Sequence, residues 1–168
     1  RLKPDEIHKL STAITTALFD DKSIVMKADR RKIQLTVDGE LARHFEQERQ
    51  IEQEAESLLK ANEGSYDLKD RGKALSKIRR QLADAKSFLL SGGEDLRFSH
   101  DKLYHIGHLV ADKLYDDDLL DFPDEDDGPK FMKKFLITYF GREDEAGKRV
   151  REKIRSLANA PFEGSRDW

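Results

Sequence analysis

The chain contains no cysteine, which excludes disulfides, thiolate catalysis and thiolate metal sites and fits a reducing compartment. Proline is also scarce, with four in 168 residues, so few positions force a helix to stop. No stretch approaches the ~20 consecutive apolar residues that a bilayer-crossing helix needs, and no membrane contact is expected. The opening Arg1-Leu2-Lys3-Pro4-Asp5-Glu6 lacks the apolar run of a secretion signal, so cytoplasm is the expected location. Net charge is only −3, too small for the whole molecule to attract nucleic acid or membrane, and any such binding must be local. Apolar residues make up 37% of the chain and charged ones 39%, so the core must be thin.

What is present favours helices with narrow apolar stripes, because Lys, Arg, Glu, Asp, Leu and Ala dominate. An internal repeat organises them. A shift of 96 positions lays Ile7, Leu10, Ile14 and Leu18 on Leu103, Ile106, Val110 and Leu114, and Asp20, Asp21 and Ile24 on Asp116, Asp117 and Leu120. Further on the offset changes slightly. Leu41 and Phe45 then meet Leu136 and Phe140, Ile51, Ala55 and Leu58 meet Val150, Ile154 and Leu157, and Glu63-Gly64-Ser65 reappears as Glu163-Gly164-Ser165. A colinear series of this kind points to duplication. The predicted fold is all-α, with two repeated helical units of three to four helices each. Residues 1–90 form the first unit, 91–96 a linker, and 97–168 the second, with Ser91-Gly92-Gly93 as a hinge.

Within the first unit, apolar spacing predicts helices over 4–20, 29–46 and 48–61, the last two free to merge. In the second unit Gly141 predicts a bend between the corresponding elements. Ile33-Gln34-Leu35-Thr36-Val37 also alternates like a strand that could pair with Ile24-Val25-Met26, but Phe131-Met132-Lys133-Lys134-Phe135-Leu136 has helical spacing, and repeats should share a fold. Ser65 is expected to cap a fourth helix over 66–89 with Ala74, Ile78, Leu82 and Ala85 inside. A matching helix should start at Ser165, so the second unit is expected to be cut short at Trp168 or to do without that helix.

Several of these residues carry a resemblance to a known family. Arg1-Leu2 before an amphipathic helix, the apolar step at Ile24 and the run Arg151-Glu152-Lys153-Ile154-Arg155-Ser156-Leu157 all resemble the bacterial DUF507 family of unknown function. The ending Pro161-Phe162-Glu163-Gly164-Ser165-Arg166-Asp167-Trp168 resembles it most closely. In that family the ending leads into a further helix, which implies truncation here. Tyr66 stands where the second unit has Arg166, so the first unit departs from that ending. The resemblance implies a fold and supplies no catalytic residues.

Three surfaces stand out. Lys69, Lys73, Lys77 and Arg80 recur at helical spacing, joined by Arg71, Arg79 and Lys86, and form a basic face able to hold nucleic-acid phosphates or an acidic partner. The plain alternative is a solvated helix face, and without interleaved aromatics single-strand stacking is not indicated. The stretch from Asp116 to Asp127 carries Asp116, Asp117, Asp118, Asp121, Asp124 and Asp126. Its spacing lacks the glycine and glutamate of a calcium loop, which leaves an acidic connector or a loop that docks on a basic surface. His105, His108 and Asp112 share a helix face, but the first unit has Lys9, Thr12 and Thr16 there and no third protein ligand is visible, so exposed histidines are expected. No nucleophile elbow, phosphate-cradling glycine loop or paired metal-binding histidine motif occurs. No catalytic, cofactor or metal residue is therefore assigned. The leading expectation is a non-enzymatic protein-interaction module, with Phe131, Phe135, Tyr139 and Trp168 as candidate apolar contacts and homo-oligomerisation open. The alternative is a nucleic-acid or ribonucleoprotein accessory using the basic face.

Overall fold

Pro4 pre-sets the first turn of a helix, and the Glu6 carboxylate accepts a hydrogen bond from the Lys3 backbone N–H at 2.7 Å. Together they open α1, Pro4–Asp20. The computed structural model describes residues 2–62, 70–92 and 97–155. After α1 come β1 (Val25–Met26), α2 (Arg30–Ala61), α3 (Arg71–Ala85), α4 (His100–Asp116), β2 (Leu120–Asp121) and α5 (Asp127–Arg155). Lys69, Gly93 of the expected hinge, the Ser65 cap and Trp168 lie outside the described residues.

Asp29 caps α2 by accepting from the Lys32 N–H at 2.9 Å. From there the helix runs unbroken for 32 residues, about 48 Å, and merges the two helices read over 29–46 and 48–61. Ile33 and Val37 are buried while Leu35 is 60% exposed, a helical arrangement, so the strand reading of 33–37 is not adopted. Val25–Met26 does form a strand, but its partner is β2: Val25 lies opposite Asp121 and Met26 opposite Leu120, antiparallel.

Side-chain contacts set the packing. His8 meets Asp38, Gln34 donates to Thr12, and Arg30 donates to Thr16, so α1 and α2 run antiparallel. Lys133 lies over the Tyr104 ring and Arg97 is 3.6 Å from Glu143, which gives α4 and α5 the same relation. α4 also packs on α2, and α3 lies on the second half of α2, with Arg79 on Glu52 at 3.2 Å. One hydrophobic cluster joins all four stripes: Leu10, Ile14 and Leu18, then Val37, Leu41 and Phe45, then Ile106, Val110 and Leu114, then Met132, Leu136 and Phe140. Ile51, Ala55, Leu59 and Ala83 are buried beyond it, where α3 covers α2.

Two helix ends differ from expectation or carry no sequence flag. α3 stops at Ala85, short of 89, because Ser87 turns left-handed at φ 51°, with its N–H on the Asp84 carbonyl and the Phe88 N–H on the Ala83 carbonyl at 2.8 Å. α4 closes in the same way on Asp118, φ 55°. Glycine usually marks such ends, and here serine and aspartate stand in its place. Within α3 the buried alanine is Ala83; Ala85, expected inside, is exposed at the last turn. Val150 is 57% exposed although Ile51, its expected counterpart, is buried, because α5 contributes to the shared core only as far as Phe140. α5 is continuous through Gly141, where the sequence predicts a bend.

Gly107 is where α4 and α5 approach most tightly: a Cβ there would sit 3.0 Å from the Met132 Cβ and 3.3 Å from the Lys133 nitrogen. Gly39, inside α2, would meet nothing within 4 Å. Gly107→Val is therefore expected to destabilise the chain by about 1–3 kcal/mol, and Gly39→Ala to stabilise it by about 0.5–1 kcal/mol. Urea unfolding checks both, and the pairing of α4 with α5 is wrong if Gly107→Val is neutral.

Candidate functional site

Phe45, Glu48 and Ile51 follow one another along the inward face of α2, and Lys102, Leu103 and Ile106 do so on α4. Each of these short stretches therefore carries one charged residue inward, Glu48 on α2 and Lys102 on α4. Where the helices cross, Lys102 and Glu48 meet with their side chains shut off from solvent, Nζ to Oε2 at 3.5 Å. The Lys102 ammonium also donates to the Leu89 carbonyl and lies 4.3 Å from the Phe88 ring centre. Glu48 accepts from the Ser91 backbone N–H at 2.5 Å and the Ser91 hydroxyl at 2.6 Å. The pair thus clamps the connector after α3 onto α2. Burial pushes the Lys102 ammonium down to about 8 against the pull of Glu48. A lysine so depressed is also the form used in nucleophilic chemistry, but this one is enclosed.

His44 completes the cluster. Its ring stacks on Phe88 at 4.9 Å, meets Phe45 edge-on at 5.4 Å and lies 5.5 Å from His105. Burial, then Lys102, His105 and Arg43, holds it down to about 3, so the imidazole is neutral near neutral pH. Beside it opens a cleft of about 320 Å³ lined by His105, Gln47 and Gln50 among others. His105 and His108 are half-buried, which corrects the expectation of exposed histidines: His44 of α2 lies against one, and the other packs edge-on against Tyr104 at 4.4 Å. Asp112 is exposed, and no three acids or histidines gather in a metal-holding group among the described residues. Neither Lys102 nor Glu48 was singled out in the sequence reading, although opposite charges on two apolar stripes are the signal that would have found them.

The surfaces separate by sign. Lys73, Lys77 and Arg80 are exposed on α3, whereas Arg79 and Lys86 are tied to Glu52 and Glu54 of α2. At the other end of α2, Lys27 binds Asp118 at 2.6 Å and Asp121 at 2.8 Å, so part of the acidic stretch docks in cis. The hydrogen bonds that the Lys27 ammonium donates to Asp118 and then Asp121 hold it well above the usual lysine range. Asp116, Asp117, Asp124 and Asp126 are exposed. Between α4 and this stretch runs a groove of about 600 Å³ with Tyr115, Phe122, Pro123 and Pro129 as its apolar wall and Asp112, Asp124 and Glu125 at its edge. The Phe122 ring lies against Gly128, where a Cβ would approach within 2.6 Å. Phe131, Phe135 and Tyr139 are half-buried against the core and offer only part of their surface.

These features describe an all-helical protein whose polar surfaces are segregated by sign, and among the described residues no helix is long and apolar enough to cross a membrane. The family model described as Protein of unknown function (DUF507) matches residues 1–168, and the chain belongs to that family. No curated protein matches it.

The unfolded chain protonates His44 near pH 6.5, whereas the folded chain resists until about 3. Stability is therefore fully present above the upper value and is lost as pH falls through that window. His105, also lowered by burial, acts in the same direction. His44→Phe keeps a ring between Phe45 and Phe88 and removes the titration. Between pH 7 and pH 5 it is expected to lose about 2 kcal/mol less stability than the unaltered chain, and equal losses in urea titrations at both pH values would contradict the burial of His44.

Proposed function

We propose that the chain is a cytoplasmic, non-enzymatic protein-interaction module of bacterial origin, built from two diverged copies of one helical unit joined by a linker at residues 91–96. The groove beside the acidic stretch carries the reading. It combines exposed aromatic surface, Tyr115 being 54% exposed, with carboxylates at its edge. That pairing of apolar wall and charged rim suits a protein surface.

Several features support duplication. α1 and α4 both have 17 residues and begin 96 positions apart, at Pro4 and His100. Ser11 and Gly107, also separated by 96, are the small buried residues facing α2 and α5. Val25 pairs with Asp121, again its counterpart 96 positions on, as expected if a two-fold axis passed between the strands.

Gly128→Ala tests the groove without changing charge, because the added methyl must displace the Phe122 ring. A partner captured from native cytoplasm by the full chain is expected to be recovered about fivefold less well or worse by this variant, with melting temperature as the control for folding. Equal capture, or a chain repeatedly recovered with neither another protein nor a second copy of itself, rejects the reading.

One observation favours a second reading: Lys73, Lys77 and Arg80 are exposed and have no ion pair among the described residues. A nucleic-acid or ribonucleoprotein accessory using them would bind with steep salt dependence. Lys73→Glu combined with Lys77→Glu should abolish that binding, and unchanged RNA and DNA affinity removes this reading.

A further inference from the structure

Two oppositely charged surfaces sit on one rigid rod. Lys27 fixes the acidic stretch beside the start of α2, and Arg79 fixes α3 to Glu52, 22 residues along the helix from Arg30. That is about 33 Å of helix. The Debye length at physiological salt is about 8 Å, so the surfaces do not neutralise each other within one molecule.

Each surface is left unsatisfied. Residues 116–127 contain eight acids and no base; Lys27 occupies Asp118 and Asp121 and Lys113 occupies Asp117, which leaves Asp116, Asp124, Glu125 and Asp126 exposed with no ion pair among the described residues. Asp112 and Glu125, at the groove edge, are exposed and have no ion pair among the described residues. On α3, Lys73, Lys77 and Arg80 form a single row spanning about 10 Å, and the exposed residues beside them, Gly72 and Ser76, are small enough to let another surface come close. Arg31 and Lys32, also exposed, are sequence neighbours about 100° apart around α2 and make no such row.

We propose that the basic face of α3 from a second copy of this chain occupies the groove. The proposal rests on the interaction reading above and names its partner. The aliphatic stems of Lys73 and Lys77 lie along the apolar wall, the Arg80 guanidinium stacks on an aromatic ring, and the cationic heads reach the carboxylates at the edge. Two rods side by side in opposite directions satisfy both grooves at once and close a dimer.

The test is sedimentation of the full chain in low salt and in about 1 M salt, where the Debye length shrinks to about 3 Å. A concentration-dependent dimer is expected in low salt, weakening at least tenfold in high salt. Lys73→Glu/Lys77→Glu and Asp112→Lys/Glu125→Lys should each weaken self-association by about tenfold or more. Mixed in equal amounts, the two variants should form a heterodimer of nearly unaltered affinity, since each supplies the charge the other has lost. Melting temperatures equal to that of the unaltered chain show that both variants fold. A monomer at every concentration in low salt overturns the proposal, as do folded variants that fail to associate when mixed. A monomer whose α3 variant loses RNA binding assigns the basic face to nucleic acid and also overturns it. None of these outcomes touches the capture experiment with Gly128→Ala, which decides the interaction reading separately.

Discussion

The ion pair between Lys102 and Glu48 is the constraint around which the helices are arranged. Both side chains are shut off from solvent, and a buried pair seldom adds net stability over apolar residues of the same size. Its effect here is on geometry. Glu48 accepts from the backbone and hydroxyl of Ser91, and Lys102 donates to the Leu89 carbonyl, so one pair satisfies groups on α2, on α4 and on the connector between α3 and α4. Sliding α4 along α2 by a turn would leave both charges buried and unpaired, a cost of several kcal/mol. Apolar stripes alone tolerate such slippage far better, because Leu, Ile and Val can exchange places at similar volume.

With that crossing set, a thin core becomes sufficient. α1 and α2 share their stripes with α4 and α5 in one cluster, so neither half depends on its own apolar residues alone. The β1–β2 bridge closes the far end, where the Lys27 backbone N–H donates to the Leu119 carbonyl and its side chain binds Asp118 and Asp121. The two halves are thus joined at the Lys102 crossing and at the strand pair, close to opposite ends of α4.

Local periodicity made the helices legible. Ile7, Leu10, Ile14 and Leu18, and their counterparts Leu103, Ile106, Val110 and Leu114, declare a face three to four residues at a time, and all are buried. Long-range relations left weaker marks. Val25 and Met26 look like a strand seeking a partner, and the nearby alternating run 33–37 is a decoy, because the true partner Leu120–Asp121 lies in the other half. The left-handed closures at Ser87 and Asp118 were illegible because no glycine announces them. Lys102 and Glu48 were readable in principle, since each interrupts an apolar face, but only the fold shows that the two interruptions coincide. The groove needed the fold as well: Asp112 and Tyr115 come from α4 and Phe122 to Glu125 from the turn after β2, and composition alone sees only a run of acids.

A net charge near zero conceals how unevenly the charge is laid out. Within α3, five cations face one anion, and across residues 116–127 eight anions face no cation. The length of α2 keeps these populations apart, since its unbroken 32 residues place them several Debye lengths from each other. A shorter or broken α2 would let the two surfaces approach and satisfy one another within the molecule. The continuity of that helix through residues 46–48, where two separate helices were equally consistent with the sequence, is therefore a fact about surface chemistry as much as about fold. It holds the two charged regions outward and apart, each facing solvent at its own end of the helix.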